Sequence, residues 1–372
     1  MKLFDQISIN EFLNEYWEKK PYIFRNISFS KENSIKVEDL LMMAEDEYYE
    51  TRAIFQNLKG DWDVQDGPFA SKIFKEQKNK WTFIAHNTEH YFLDIKNIKK
   101  QLEVLPTWLF DDVMATYSST GSSVGAHIDN YNVFIMQTLG TRKWLLQQNP
   151  IHDYQEKLPV RILKEFIPDT EIMLEEGDMI YIPPHFAHHG ISQSESISLS
   201  FGYKSLENKT IIDHLCVNLL DKYKSDSFFK TKLQKTNDPG TIDKETLSKL
   251  KEHIQHDLSD DVFFAKSMGA LNSESKRPTE ILEINHDEFQ EHAKENPLFK
   301  DEFVRHCFIE IDSKIHLFVN KNEFIITNTQ KETLNHILNF DHHTEIVLKD
   351  LPEIHNELYE LTKLGILFFD GE

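Results

Sequence analysis

Two stretches decide how this chain is read: VGAHIDNYNVFIMQTLGTRKW at 124–144 and LEEGDMIYIPPHFAHHG at 174–190. His127 and Asp129 are separated by one residue. Side chains of a β-strand return to the same face at every second position, so both point the same way. If that face lines a barrel interior, an imidazole and a carboxylate converge on one point. A third donor then has to come from elsewhere in the chain. In the second stretch Gly177-Asp178 turns the chain, Met179 to Ile182 reads as a strand, and Pro183-Pro184 ends it. His185, His188 and His189 compete for the third place. His185 directly follows the double proline, in the turn, and His189 faces away from His188 on an extended segment. Spacing favours His188.

Two histidines and one carboxylate on one side of an octahedral metal leave three positions open, the pattern of non-haem Fe(II) oxygenases. The same donors also suit zinc. Open positions admit a bidentate 2-oxo acid and O2. A dianionic co-substrate also needs a fixed cation at its far carboxylate. Arg142 is the candidate, because a guanidinium pairs bidentately with a carboxylate. By alternation it shares a face with Trp144. Each signal has a bland reading when it stands alone. An HxD pair is common, an Arg before Trp is usually a surface cation over an aromatic ring, and PPxxxH is often a turn with a capping histidine. Their order within one β-rich region is far more specific.

That region extends outward on both sides. WTFIAH, DDVMATYSS, NVFIMQTLG, RKWLLQ, EIMLEEGD, MIYIPP and SISLSFGY are short, β-rich and separated by turn residues. Such spacing predicts a sandwich or barrel. Ahead of it, Ser8-Ile9-Asn10-Glu11 has the form of a capping box opening a helix through Phe12, Leu13, Tyr16 and Trp17. Pro21 ends that helix, and Tyr22 to Phe24 reads as a strand. A second helix fits Val37 to Ala44. After Tyr203 the period turns helical. Ile212, Leu215, Leu219 and Tyr223 form one stripe, and Leu247, Leu250, Ile254 and Leu258 form another. Either stripe serves a core or a dimerisation surface. Asn272 to Pro278 reads as a linker. Beyond it, IHLFVN and EFIITN flank a hairpin at Lys321-Asn322. A helix near Leu334 to Leu338 follows, then another from Pro352 to Leu364 capped by Gly365, and a last strand, ILFF. Helices with a terminal hairpin read as a winged-helix module. From Lys276 to Glu372 there are 10 Lys/Arg against 20 Asp/Glu, a net charge of −10. Phosphate binding requires clustered positive charge, so direct nucleic-acid binding is not expected. The Asp341-His342-His343 cluster is read as a solvated polar loop rather than a metal site.

The chain has 372 residues and a formal net charge of −21, enough length for two or three domains and a surface that favours basic partners. Cys216 and Cys307 lie far apart with no CxxC spacing, so a reducing compartment is expected. The N-terminal MKLFDQISINEF has no apolar signal segment, and no apolar run approaches membrane-spanning length. A cytoplasmic location follows as the expectation.

The metal-site stretches, together with FLNEYWEKKPYIFR, WTFIAHNTEHY and DDVMATYSS, resemble the JmjC/cupin family of 2-oxoglutarate oxygenases, in its bacterial ribosomal oxygenase branch. The resemblance covers nearly the whole chain. It implies an α+β chain: a double-stranded β-helix (jelly-roll) barrel with flanking helices at 1–204, a helical dimerisation region at 205–275 and a winged-helix-like domain at 276–372. It further implies that His127, Asp129 and His188 hold Fe(II), that Arg142 clamps 2-oxoglutarate, and that O2 is the second co-substrate. The implied activity is protein hydroxylation of an arginine on a basic large-subunit ribosomal protein, carried out by a homodimer. Histidine hydroxylation, methyl-lysine demethylation and a non-catalytic metal-binding cupin are the alternatives. The chain departs from the usual bacterial pattern at His185, Ala187 and His189, and SSTGSSVGAH is less glycine-rich than usual. These departures bear on the substrate mouth and leave the donors in place.

Overall fold

Alternating apolar and polar residues between Lys80 and Lys204 build a two-sheet structure in a computed structural model that describes residues 2–30, 34–70, 72–76, 80–223, 228–231, 239–339 and 342–369. The chain divides into two compact units, 1–205 and 206–372. In the first, the elements are α1 (Ile9–Glu15), β1 (Tyr22–Phe24), α2 (Val37–Glu45), β2 (Thr51–Gln56), β3 (Trp62–Asp66), α3 (Lys72–Glu76), β4 (Lys80–Ala85) and α4 (Leu93–Lys100). They continue with β5 (Phe110–Ser118), β6 (His127–Ile128), β7 (Tyr131–Leu139), β8 (Arg142–Gln147), β9 (Thr170–Leu174), β10 (Met179–Ile182), β11 (Ala187–Ser192) and β12 (Ser196–Lys204).

Eight strands form one sheet in the order β1-β10-β7-β12-β5-β4-β2-β3, and four form the other in the order β6-β11-β8-β9. Side chains from both sheets meet in an apolar layer of Val133, Ile135, Trp144, Leu146, Ile172, Leu174, Ile180 and Ile182. This is the barrel interior. The other face of the large sheet carries Val113, Ala115, Tyr117, Phe134, Met136, Leu199 and Phe201, which pack with the N-terminal helices. Phe12 of α1 sits there fully buried, with its ring 5.0 Å from Tyr181 and 5.7 Å from Phe134. Each such ring stabilises the unit by roughly 1.5–3 kcal/mol over its exposed state. Ser8 Oγ accepts the Glu11 N–H and caps α1, as the sequence predicts. The β2–β3 hairpin was not foreseen, because TRAIFQ buries four of its six residues, Thr51, Ala53, Ile54 and Phe55, and lacks clean alternation.

The turn at Thr88–His90 is held to β5 by a buried carboxylate. Glu89 accepts the Val113 N–H at 2.8 Å, and Thr88 donates to the Val113 carbonyl at 2.9 Å. Burial pushes the Glu89 carboxyl from 4.5 up to about 7, with Asp112 adding to the rise and Lys99 opposing it. As pH climbs, the unfolded chain gives up this proton before the folded one does. The group therefore stabilises the fold fully below pH 4.5, and that contribution is lost as pH rises to about 7. The loss amounts to roughly 3 kcal/mol. Glu89→Gln should flatten this slope, seen as urea midpoints compared at about pH 5 and about pH 8. An undiminished slope in the variant would assign the pH dependence to other groups.

The second unit comprises α5 (Asn208–Lys222), α6 (Lys244–Leu258), α7 (Asp261–Asn272), α8 (His286–Glu295), β13 (Leu298–Lys300), β14 (His306–Ile311), β15 (Lys314–Val319), β16 (Asn322–Ile326), α9 (Asn328–Leu338), α10 (His355–Lys363) and β17 (Leu367–Phe369). Strands β14, β15 and β16 form a meander, and β13 pairs with β17. The β15–β16 turn is Asn320-Lys321, both with positive φ (45° and 72°), one residue earlier than expected. Its geometry suits the tight hairpin turn in which Asn is favoured. α7 packs on β14 and β15. α6 turns Leu247, Leu250, Ile254 and Leu258 outward at 61, 37, 49 and 41 % exposure, while its Asp257 is buried against Lys222 at 2.9 Å. The first stripe splits: Leu215 is buried and Ile212 is exposed. The His342 and His343 ring centroids lie 3.9 Å apart with the rings tilted by 45°, and His342 Nε2 lies 4.0 Å from Glu302; Asp341 lies outside the described residues.

Candidate metal centre

Strand register brings the predicted donors together. β6 pairs with β11 so that His127 lies directly opposite His188. Cross-strand partners share a face, and Asp129 follows His127 one alternation later. His127 Nε2 and His188 Nε2 lie 3.6 and 3.4 Å from Asp129 Oδ2. The two imidazole centroids are 4.2 Å apart. Among the described residues this is the one group of three His, Cys or carboxylate donors close enough to share an ion.

Local backbone fixes the histidine tautomers. His127 Nδ1 donates to the Gly125 carbonyl at 3.0 Å, and His188 Nδ1 donates to the Phe186 carbonyl at 3.1 Å. Each ring therefore turns Nε2 toward the cluster, where that nitrogen offers a lone pair to an ion once it has lost its proton. Gly125 is required there, with φ +86°, because a Cβ would lie 2.7 Å from Ile162. His185 occupies the turn after Pro184 at φ +68° and donates its N–H to the Asp129 carbonyl at 3.1 Å, which pins the backbone of the acidic donor. In the metal-free cluster, burial pushes the Asp129 carboxyl up. The His127 charge and hydrogen bonds from both rings outweigh it and hold the carboxyl well below the usual range. Burial likewise pushes His127 down, and Asp129 wins, so its pKa is raised.

The cluster fits a metal ion. Two donors bonded to one ion at about 2.1 Å stand no more than about 4.2 Å apart, and both measured separations lie within that limit. His188 is buried, whereas the Asp129 side chain is 43 % exposed, so the cluster opens to solvent on the carboxylate side. The structure separates the three competing histidines. His189 lies on the other face of β11, where its Nε2 meets Ser123 Oγ at 3.0 Å. Burial, with the nearby charges of His127 and Arg142, pushes His189 down to about 4 and keeps it neutral. His185 is exposed, with its ring 6.2 Å from His152.

Arg142 is 3 % exposed and points into the barrel. Burial lowers its pKa to about 10, which leaves it cationic at neutral pH. Its Nη1 and Nη2 make long contacts to Ser198 Oγ (3.5 Å) and the Gly190 carbonyl (3.4 Å). Ser198 Oγ in turn donates to Gln137 Oε1 at 2.8 Å, and Gln137 Nε2 is fixed by the Leu139 and Ile197 carbonyls. Arg142 Nε has no hydrogen-bond partner among the described residues, and neither has the Trp144 indole Nε1. Space for both side chains depends on Gly190, where a Cβ would stand 2.8 Å from Arg142 Nε and 2.8 Å from Trp144 Cη2. A buried guanidinium with an unpaired N–H suits a carboxylate end group.

Sequence reasoning did not place the acidic groups of the interior. Val113, Ala115 and Tyr117 face the helices, so Asp112, Met114 and Thr116 face the barrel interior. Asp112 lies in the row with Gly202 and Val133, at the end of β7 that begins two residues after Asp129. It pairs with His86 Nδ1 at 3.2 Å. The DDVMATYSS motif contained this carboxylate, but only the register places Asp112 in this row; it is irregular between Val113 and Phe110, and the neighbouring Asp111 accepts from the Tyr131 hydroxyl at 3.1 Å and pairs with Lys204 at 3.4 Å.

Residues 97–211 match the family described as JmjC domain. An Escherichia coli relative named ribosomal protein uL16 3-hydroxylase is 26 % identical, covering 74 % of this chain and 74 % of its own length. A Haemophilus influenzae relative named "Probable ribosomal oxygenase" is 28 % identical over 56 % of this chain, and the match spans 52 % of that protein, about half its length. Among solved structures, the E. coli ribosomal oxygenase YcfD in complex with cobalt and 2-oxoglutarate superposes with a TM-score of 0.77 at 22 % identity, covering 98 % of this chain and 99 % of that one. The fold is the JmjC cupin fold of antiparallel sheets with helices.

Proposed function

We propose, from the premise that this chain carries a JmjC domain at residues 97–211, that it is an Fe(II)- and 2-oxoglutarate-dependent protein hydroxylase acting on an arginine of a large-subunit ribosomal protein. One observation carries the reading: a two-histidine, one-carboxylate cluster shares a barrel interior with a buried arginine that has an unpaired N–H. His127, Asp129 and His188 are the proposed ligands, and Arg142 is the proposed clamp for the far carboxylate of 2-oxoglutarate. When bound, iron(II) supplies the O2 activation by which 2-oxoglutarate is decarboxylated to succinate and an unactivated C–H is hydroxylated.

The chain's own residues do the rest. The carbonyls of Gly125 and Phe186 hold the two imidazoles in the ligating tautomer, and the apolar layer around Trp144 and Leu146 keeps water from the inner end of the site. Asp112, facing the interior beside Gly202 and paired with His86, adds negative charge on the side from which a cationic substrate would approach. The formal charge of −21 favours encounter with a basic ribosomal protein.

The wider assignments are proposals of the same kind. The outward apolar stripe of α6 supports 205–275 as a homodimerisation region, and the β15–β16 hairpin among helices supports a winged-helix-like domain at 276–372. Among the described residues no helix is long and apolar enough to cross a membrane; a ribosomal substrate favours a cytoplasmic location. The test incubates the protein with Fe(II), 2-oxoglutarate and ribosomal proteins. An arginine peptide should gain the mass of one oxygen atom, and His127→Ala should give no gain. Gain on histidine, or loss of methyl mass from lysine, would replace the arginine reading. Absence of any 2-oxoglutarate consumption, with His127→Ala equal to the parent, would make this a metal-binding cupin without turnover.

A further inference from the structure

We infer that Trp144 is a second donor to the bound 2-oxo dicarboxylate, its indole N–H hydrogen-bonding the same anion that Arg142 clamps. The inference rests on the reading of Arg142 given above. Trp144 is 5 % exposed and its Nε1 has no partner among the described residues. An indole N–H is a donor only, so in a buried place it needs an acceptor. The aliphatic side chains packed with it in the interior layer, Val133, Ile135, Leu146, Ile172, Leu174, Ile180 and Ile182, carry none.

Position adds the second argument. The Trp144 ring lies 5.8 Å from the His188 ring and 5.3 Å from Arg142 Cζ, between the metal-donor cluster and the guanidinium. A ligand that reaches from one to the other passes along the indole. Each Arg142 Nη makes one long contact, to Ser198 or Gly190, and the unpaired Nε–H is the second unpaired donor on this face of β8. A carboxylate offers about four lone-pair sites and accepts from both donors at once. Trp144 thereby acts as a specificity residue, favouring a 2-oxo acid with a second carboxylate over one with a plain alkyl end.

The test uses the full chain loaded with Zn(II), which binds the donors without turnover. The protein has five tryptophans, so selective ¹⁵N labelling gives five indole signals, and the one lost in Trp144→Phe is that of Trp144. Adding 2-oxoglutarate should move this signal downfield. Calorimetry should show 2-oxoglutarate binding weakened about 10- to 100-fold in Trp144→Phe, with Zn(II) affinity unchanged and 2-oxobutyrate binding equal in both proteins. An unmoved signal with equal 2-oxoglutarate affinity would make the indole a wall and overturn the inference while leaving Arg142 as the clamp. Parent protein that binds Zn(II) but no 2-oxoglutarate would overturn both. If Trp144→Phe does not fold, the five signals of the parent still decide, since none moving downfield counts against the inference.

Discussion

Replacing His188 with alanine is expected to reduce Fe(II)-dependent conversion of 2-oxoglutarate to succinate by more than about 100-fold, beyond the range lost when a residue supporting a metal ligand is removed. The imidazole is 2 % exposed, faces His127 across the β6–β11 pair and is locked by the Phe186 carbonyl with Nε2 toward the cluster. Without it, His127 and half-exposed Asp129 are left to hold the ion, and water takes the third position. Fe(II) or Mn(II) affinity should fall along with turnover, measured by calorimetry. Removing a buried ring also leaves a cavity, so thermal unfolding has to be compared in parallel. His189→Ala serves as the counterpart. Its ring bonds Ser123 on the other face of the strand, and the variant should keep its metal. Loss of metal in His189→Ala with retention in His188→Ala would move the third ligand to the neighbouring residue.

Arg142→Met should raise the KM for 2-oxoglutarate by at least about 30-fold, because truncating one partner of a buried charge pair removes 2–5 kcal/mol or more. Metal affinity should stay near that of the parent, since the guanidinium holds none of the three donors. Gly190→Ala should produce the same phenotype without touching the charge. Its new Cβ stands 2.8 Å from both Arg142 Nε and Trp144 Cη2, and a guanidinium only 3 % exposed has little room to retreat. Overpacking of this kind corresponds to about 10-fold or more in binding. The pair of variants separates cation loss from displacement. Raised salt should not rescue either one, since the site is buried. Unchanged KM values in both, with normal metal binding, would remove Arg142 from the co-substrate site.

Much of the centre was legible because strand alternation is a local rule. One residue between His127 and Asp129 puts both on one face, and one between Arg142 and Trp144 does the same on β8. The turn written by Pro183-Pro184 set His185 apart from His188. Other parts were not legible for equally physical reasons. The β2–β3 hairpin has no clean alternation, since Ile54 is buried on the same face of β2 that exposes Arg52. The inward placement of Asp112, the support of Arg142 by Ser198 and Gln137, and the need for Gly190 all depend on which strand lies beside which.

The sequence by itself determined the donor types, their shared faces and the β-rich, then helical, order of the chain, because those follow from backbone periodicity within a few residues. The tertiary structure alone decided that His127 stands opposite His188, that Arg142 and Trp144 keep unpaired donors in the interior, and that α6 carries its apolar stripe outward. These are contacts between residues far apart in the chain, set by strand register and packing, and no local period encodes them.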